Sequence, residues 1–155
     1  MLATLFQNSS SIDQSIKTPY ILVVLPKLEK IPKKYNVPGE DSLEKLLERR
    51  NMILTELSRT PVSANLANGE LCSWIMVDTD EPVFSQQTCI RKALKLLLIE
   101  NPSEIHITVY GTTHQRKSFS ELSVYVAWIN GAALQVRKNK PVRTSLAKIF
   151  LYGYQ

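Results

Sequence analysis

The chain has 155 residues, 44% of them hydrophobic and 21% charged, with a formal net charge of +5. That is enough for one domain that buries roughly 70% of its unfolded surface, with an ordinary globular composition. It excludes a helical membrane span: the apolar runs Tyr20–Leu25 and Leu96–Ile99 fall far short of the ~20 residues needed. The first residues, MLATLFQNSSS, lack the basic lead and apolar run of a signal peptide, which points to a cytoplasmic protein.

Residues 1–18 mix Leu2, Leu5 and Phe6 with a polar run and read as an edge strand or a loosely held lead. Tyr20–Leu25 is β-branched-rich, closed by Pro26, and reads as a strand buried on both faces. Lys27 to Gly39 is a Pro- and Lys-rich surface connection. Asp41 and Ser42 then open a helix over 41–57, with Leu43, Leu46 and Leu47 on its apolar side; a slip of period near Arg50 and Asn51 leaves two short helices with a break as the alternative. Asn68-Gly69 between two strand-like runs predicts a hairpin with a two-residue type I′ turn.

Asp80 is a candidate N-cap, with Pro82 in the first turn of the helix that follows. Ile90, Ala93, Leu94, Leu97 and Leu98 form one apolar helical face, stopped at Asn101-Pro102. Ile105, Ile107 and Val109 alternate as a strand. A third helix, about Gln115 to Ala133, carries a core stripe of Phe119, Leu122, Val126, Ile129 and Ala133. Val124, Tyr125 and Trp128 make it apolar on a second side, so the helix is expected to be buried all round or to meet a partner, with Tyr125 and Trp128 as candidates for contact with another domain or subunit. A basic linker, 135–145, precedes a last strand at 146–152. The order predicts a single α/β domain, a three-layer α/β/α sandwich whose sheet is mixed because of the hairpin.

No residue cluster announces chemistry. The five glycines are scattered and match neither a dinucleotide fingerprint nor a phosphate-binding loop. His106 reads as a structural histidine on a strand, and His114 sits in the loop after it with no metal-ligand partner in spacing. Ser118, Ser120 and Ser123 lie outside any nucleophile elbow. Asp78, Asp80 and Glu81 read as helix capping and solvation. Cys72 and Cys89 read as buried reduced thiols. We therefore assign no catalytic, cofactor-binding or metal residue. Arg137, Lys138, Lys140 and Arg143 form a basic segment that serves either as a solvated linker or as a nucleic-acid contact.

RKALKLLLIENPSEIHITVYG, then a helix ending SVYVAWINGAALQVRKNK, then LAKIFLYGY, resembles the N-terminal domain of the leucyl (cytosol) aminopeptidases, best over residues 70–155. The resemblance implies a macro-domain-like fold. It also implies a parent enzyme, commonly a hexamer, that removes N-terminal residues from peptides with two divalent metals, zinc or manganese. The family's metal ligands and catalytic Lys and Arg belong to a C-terminal domain whose Asn-Thr-Asp-Ala-Glu-Gly-Arg motif does not occur here. This chain would then be a non-catalytic accessory domain, with the catalytic domain as its partner. The glycine-rich loops through which macro-like folds bind ADP-ribose are absent as well.

Overall fold

Six strands form one sheet in the order β1-β6-β5-β2-β4-β3. They are β1 (Thr4–Asn8), β2 (Tyr20–Pro26), β3 (Val62–Asn65), β4 (Leu71–Val77), β5 (Glu104–Val109) and β6 (Lys148–Tyr152). All neighbours are parallel except the β3–β4 hairpin. Three α-helices flank the sheet: α1 (Glu40–Arg49), α2 (Val83–Leu98) and α3 (Thr113–Gly131). The computed structural model describes residues 3–13, 18–131 and 146–154. The architecture is the expected α/β/α sandwich with a mixed sheet.

Strand alternation divides the core in two. Leu22, Val24, Ile75, Ile107 and Ile149 point to the side of α2 and α3, where Ile90, Leu94, Leu97 and Phe119 meet them. Ile21, Val23, Leu25, Trp74 and Met76 point to the side of α1, against Leu43, Leu46 and Leu57. β2 and β4 are buried on both faces, as their unbroken apolar runs require. The predicted apolar face of α2 is the buried one, from Ile90 to Leu98. Asn101 takes a left-handed φ of 54°, and its N–H donates to Leu98 O at 3.0 Å, which ends that helix. Ser73 faces α2 from within β4, where its hydroxyl donates to Ala93 O at 2.9 Å. The lead segment is the edge strand β1.

The 41–57 segment is two short helical pieces, broken where the period slips: α1 ends at Arg49, Asn51 turns left-handed, and a short 3-10 turn follows at Leu54–Ser58. Four expectations are corrected. The hairpin loop has three residues, not two. Leu66 N–H donates to Glu70 O, so Ala67, Asn68 and Gly69 close it, and of these only Gly69 has positive φ (90°). That is a type I turn completed by glycine, with the Asn68 amide holding Glu70 through its backbone N–H and its carboxylate. Pro82 takes the cap position of α2, while the Asp78 carboxylate accepts the Asp80 N–H at 3.0 Å. α3 begins at Thr113, which places His114 in its first turn, exposed.

The fourth concerns α3 itself, which is not buried all round. Its buried side carries Phe119, Ser120, Ser123, Val124, Val126, Ala127 and Gly131, whereas Ile129 and Tyr125 are 53% and 51% exposed. Gly131 is there because a Cβ would come within 2.9 Å of Leu146, whose N–H donates to Gly131 O at 2.8 Å.

Candidate interaction groove

In open α/β sheets ligands bind outside the carboxyl ends of the strands, where neighbouring connections leave in opposite directions. That point lies between β2, whose chain leads toward β3 and β4, and β5, whose chain leads toward β6. Tyr110 occupies it. Its N–H donates to Val24 O at 3.1 Å, its side chain is buried, and Tyr35 stacks on it with ring centroids 5.4 Å apart. Burial pushes the Tyr110 phenol up to about 12, so it remains protonated at neutral pH. Two aromatic side chains thus fill the place where such a sheet would receive a ligand.

A cleft of about 640 Å³ opens at the start of α1, beside the hairpin loop. Glu70 is buried at its wall, accepting from Thr18 N–H and from Asn68 Nδ2 at 2.8 Å, which ties the entry of β2 to the hairpin. Its carboxylate is structural. Gly39 caps α1 with φ 67°, and a Cβ there would lie 2.9 Å from the Trp74 ring, so the chain passes tightly over the core at this wall.

His106 is nearly buried on β5. Its Nδ1 lies 2.8 Å from the Tyr152 hydroxyl and its Nε2 3.8 Å from Glu104. With the phenol donating to Nδ1, the ring proton sits on Nε2, toward the carboxylate. Burial lowers the imidazole pKa, and Glu104 opposes this only in part; the Tyr152 phenol is raised, again first by burial. The contact links β5 to β6 through side chains as well as backbone. Because the folded pKa lies below the unfolded one, the unfolded chain binds the proton first as pH falls. Stability should therefore drop as pH falls through the unfolded value of about 6.5 toward the folded one. A His106→Gln variant should show a flatter urea midpoint between pH 7.5 and 5 than the parent. Equal slopes would refute the assignment.

The two residues singled out for contact on α3, Tyr125 and Trp128, come together in a groove of about 410 Å³ between that helix and the sheet edge, with Leu5, Leu151 and Tyr154. Trp128 Nε1 donates to Ala3 O at 2.9 Å, fastening the start of β1 under the helix. Tyr125 stands half open at the rim. Lys117 and Glu121 are the charged groups of the lining.

The sequence did not reveal the rings on the opposite face of the same edge. Phe6 stacks on Phe150 at 4.9 Å, and Phe150 on His106 at 4.4 Å with planes 4° apart. Strand register alone brings them together. Arg137, Lys138, Lys140 and Arg143 lie outside the described residues. Cys72 and Cys89 are both free, the second only half-buried. Among the described residues no group of three or more His, Cys, Asp or Glu side chains could hold a metal ion, and no helix is long and apolar enough to cross a membrane.

No protein-family model matches the sequence, and no curated protein matches it. Among solved structures, the fold is similar to that of a mutant of tomato leucine aminopeptidase, at 9% sequence identity and a TM-score of 0.56. The match covers 100% of this chain and 34% of that one, so the chain spans about a third of that protein's length. At such low identity the likeness is one of fold.

Proposed function

We propose that this chain is the non-catalytic N-terminal accessory domain of a metal-dependent leucyl aminopeptidase. It would serve assembly, substrate access or regulation, while a C-terminal catalytic domain removes N-terminal residues from peptides with two zinc or manganese ions. The observation that carries this reading is the extent of the fold likeness: all of this chain aligns, against 34% of an aminopeptidase chain, as one domain of a larger enzyme would. The succession of helix, strand, helix, basic segment and strand from α2 to β6 agrees with the resemblance of residues 70–155 to that family's N-terminal domain. On this reading the groove at Tyr125 and Trp128 faces the catalytic domain or another subunit, the parent is a cytoplasmic hexamer, and the metals belong to the catalytic domain.

The whole product of the gene that encodes this chain, purified intact, should release leucine from leucyl peptides when zinc or manganese is supplied, and should lose that activity on chelation. The 155-residue chain alone should be inert. A whole product that cleaves no leucyl substrate with either metal would overturn the reading.

A further inference from the structure

We infer that β1 is a self-pairing edge, by which two copies of this chain join their sheets about a two-fold axis through Phe6. The inference does not rest on the aminopeptidase reading.

Hydrogen-bond direction is the first argument. Thr4 N–H donates to Ala147 O at 2.9 Å, and Asn8 O accepts from Gly153 N–H at 3.1 Å. Backbone groups alternate in direction along a strand, so Thr4, Phe6 and Asn8 turn theirs toward β6. Leu5 and Gln7 turn both N–H and C=O away from the sheet, on a strand with β6 as its one neighbour among the described residues. Phe6 is the midpoint of β1. A copy approaching antiparallel with Phe6 opposite Phe6 therefore sets Leu5 against Gln7 on both sides of the axis. Each of those two pairs can exchange two bonds, so the four outward N–H and C=O groups of each copy are all matched. Phe6 falls at a non-hydrogen-bonded pair, where side chains approach most closely.

The side chains agree. Phe6 is 43% exposed, with one ring face on Phe150 and the other at the open end of the stack. A two-fold axis normal to the sheet keeps both Phe6 rings on the same face, so the stack continues through its copy. β1 reads Thr-Leu-Phe-Gln-Asn, with no charge, proline or bulge to blunt it. The opposite edge is guarded: β3 has four residues and follows Pro61. A head-to-tail chain of β1 on β3 would meet that short strand, whereas β1 on β1 closes as a dimer. The operator also runs α3 antiparallel to its copy.

Sedimentation of the 155-residue chain over a concentration series should show a monomer–dimer equilibrium. Gln7→Pro removes an outward N–H that meets no acceptor among the described residues, a place where an edge strand tolerates proline. It should weaken the dimer by roughly tenfold or more, a factor corresponding to about 1.4 kcal/mol, with the circular dichroism spectrum unchanged. Phe6→Lys and Phe6→Glu should each be monomeric alone and should dimerise when mixed, because each residue would then face its opposite. A chain monomeric at all concentrations overturns the inference. So does a dimer insensitive to Gln7→Pro, or a lysine–glutamate mixture that stays monomeric.

Discussion

Trp74→Ala should lower the free energy of unfolding by about 3–5 kcal/mol, the usual loss when a large buried aromatic is cut to a methyl group. Trp74 is 0% exposed at the centre of the α1 side of the sheet, between β2 and the β3 hairpin partner. Its Nε1 donates to Pro38 O at 3.0 Å, fixing the turn that launches α1. The change thus opens a cavity and takes from Pro38 O its strong donor, leaving the Cys72 thiol at 4.0 Å. Domains of this size hold about 5–15 kcal/mol in total, so the variant should be largely unfolded well below the parent's urea midpoint. Trp74→Phe fills most of the space but leaves Pro38 O with only the weak Cys72 thiol donor at 4.0 Å, and should cost less, about 1–3 kcal/mol. A Trp74→Ala variant within about 1 kcal/mol of the parent would show that the side chain does not anchor this layer.

What was legible in the sequence was local. α2 and its stop declare themselves because Ile90, Ala93, Leu94, Leu97 and Leu98 fall on one helical face and Asn101 precedes a proline. β2 and β4 are runs of apolar residues, and such runs belong inside a parallel sheet. The place of β1 beside β6 could not be read, because that pairing joins residues about 144 positions apart, as Thr4 with Lys148, and no local pattern encodes it. The ladder of Phe6, Phe150 and His106 was hidden for the same reason, and with it the character of the open edge. Tyr125 and Trp128 stand out in the sequence by their spacing, but their shared groove exists only because Ala3 and Leu5 come under α3.

The second large effect separates two residues that periodicity treats alike. Phe119 and Ile129 both fall on the apolar stripe read from α3, yet Phe119 is 0% exposed and Ile129 is 53% exposed. The buried side of α3 is instead partly written in small residues, with Ser120, Ser123, Ala127 and Gly131 letting the helix lie close to its neighbours. A scale that rewards large apolar side chains therefore rotates the helix toward Tyr125 and Ile129, away from its true contact. Phe119→Ala should cost about 3–5 kcal/mol, read as a lowered urea midpoint at unchanged slope. Ile129→Ala should stay within about 0.5 kcal/mol of the parent, as exposed substitutions do. Comparable losses at both positions would mean that α3 is packed in a different rotation, in which case Tyr125 would be a core residue and the groove beside β1 would not exist.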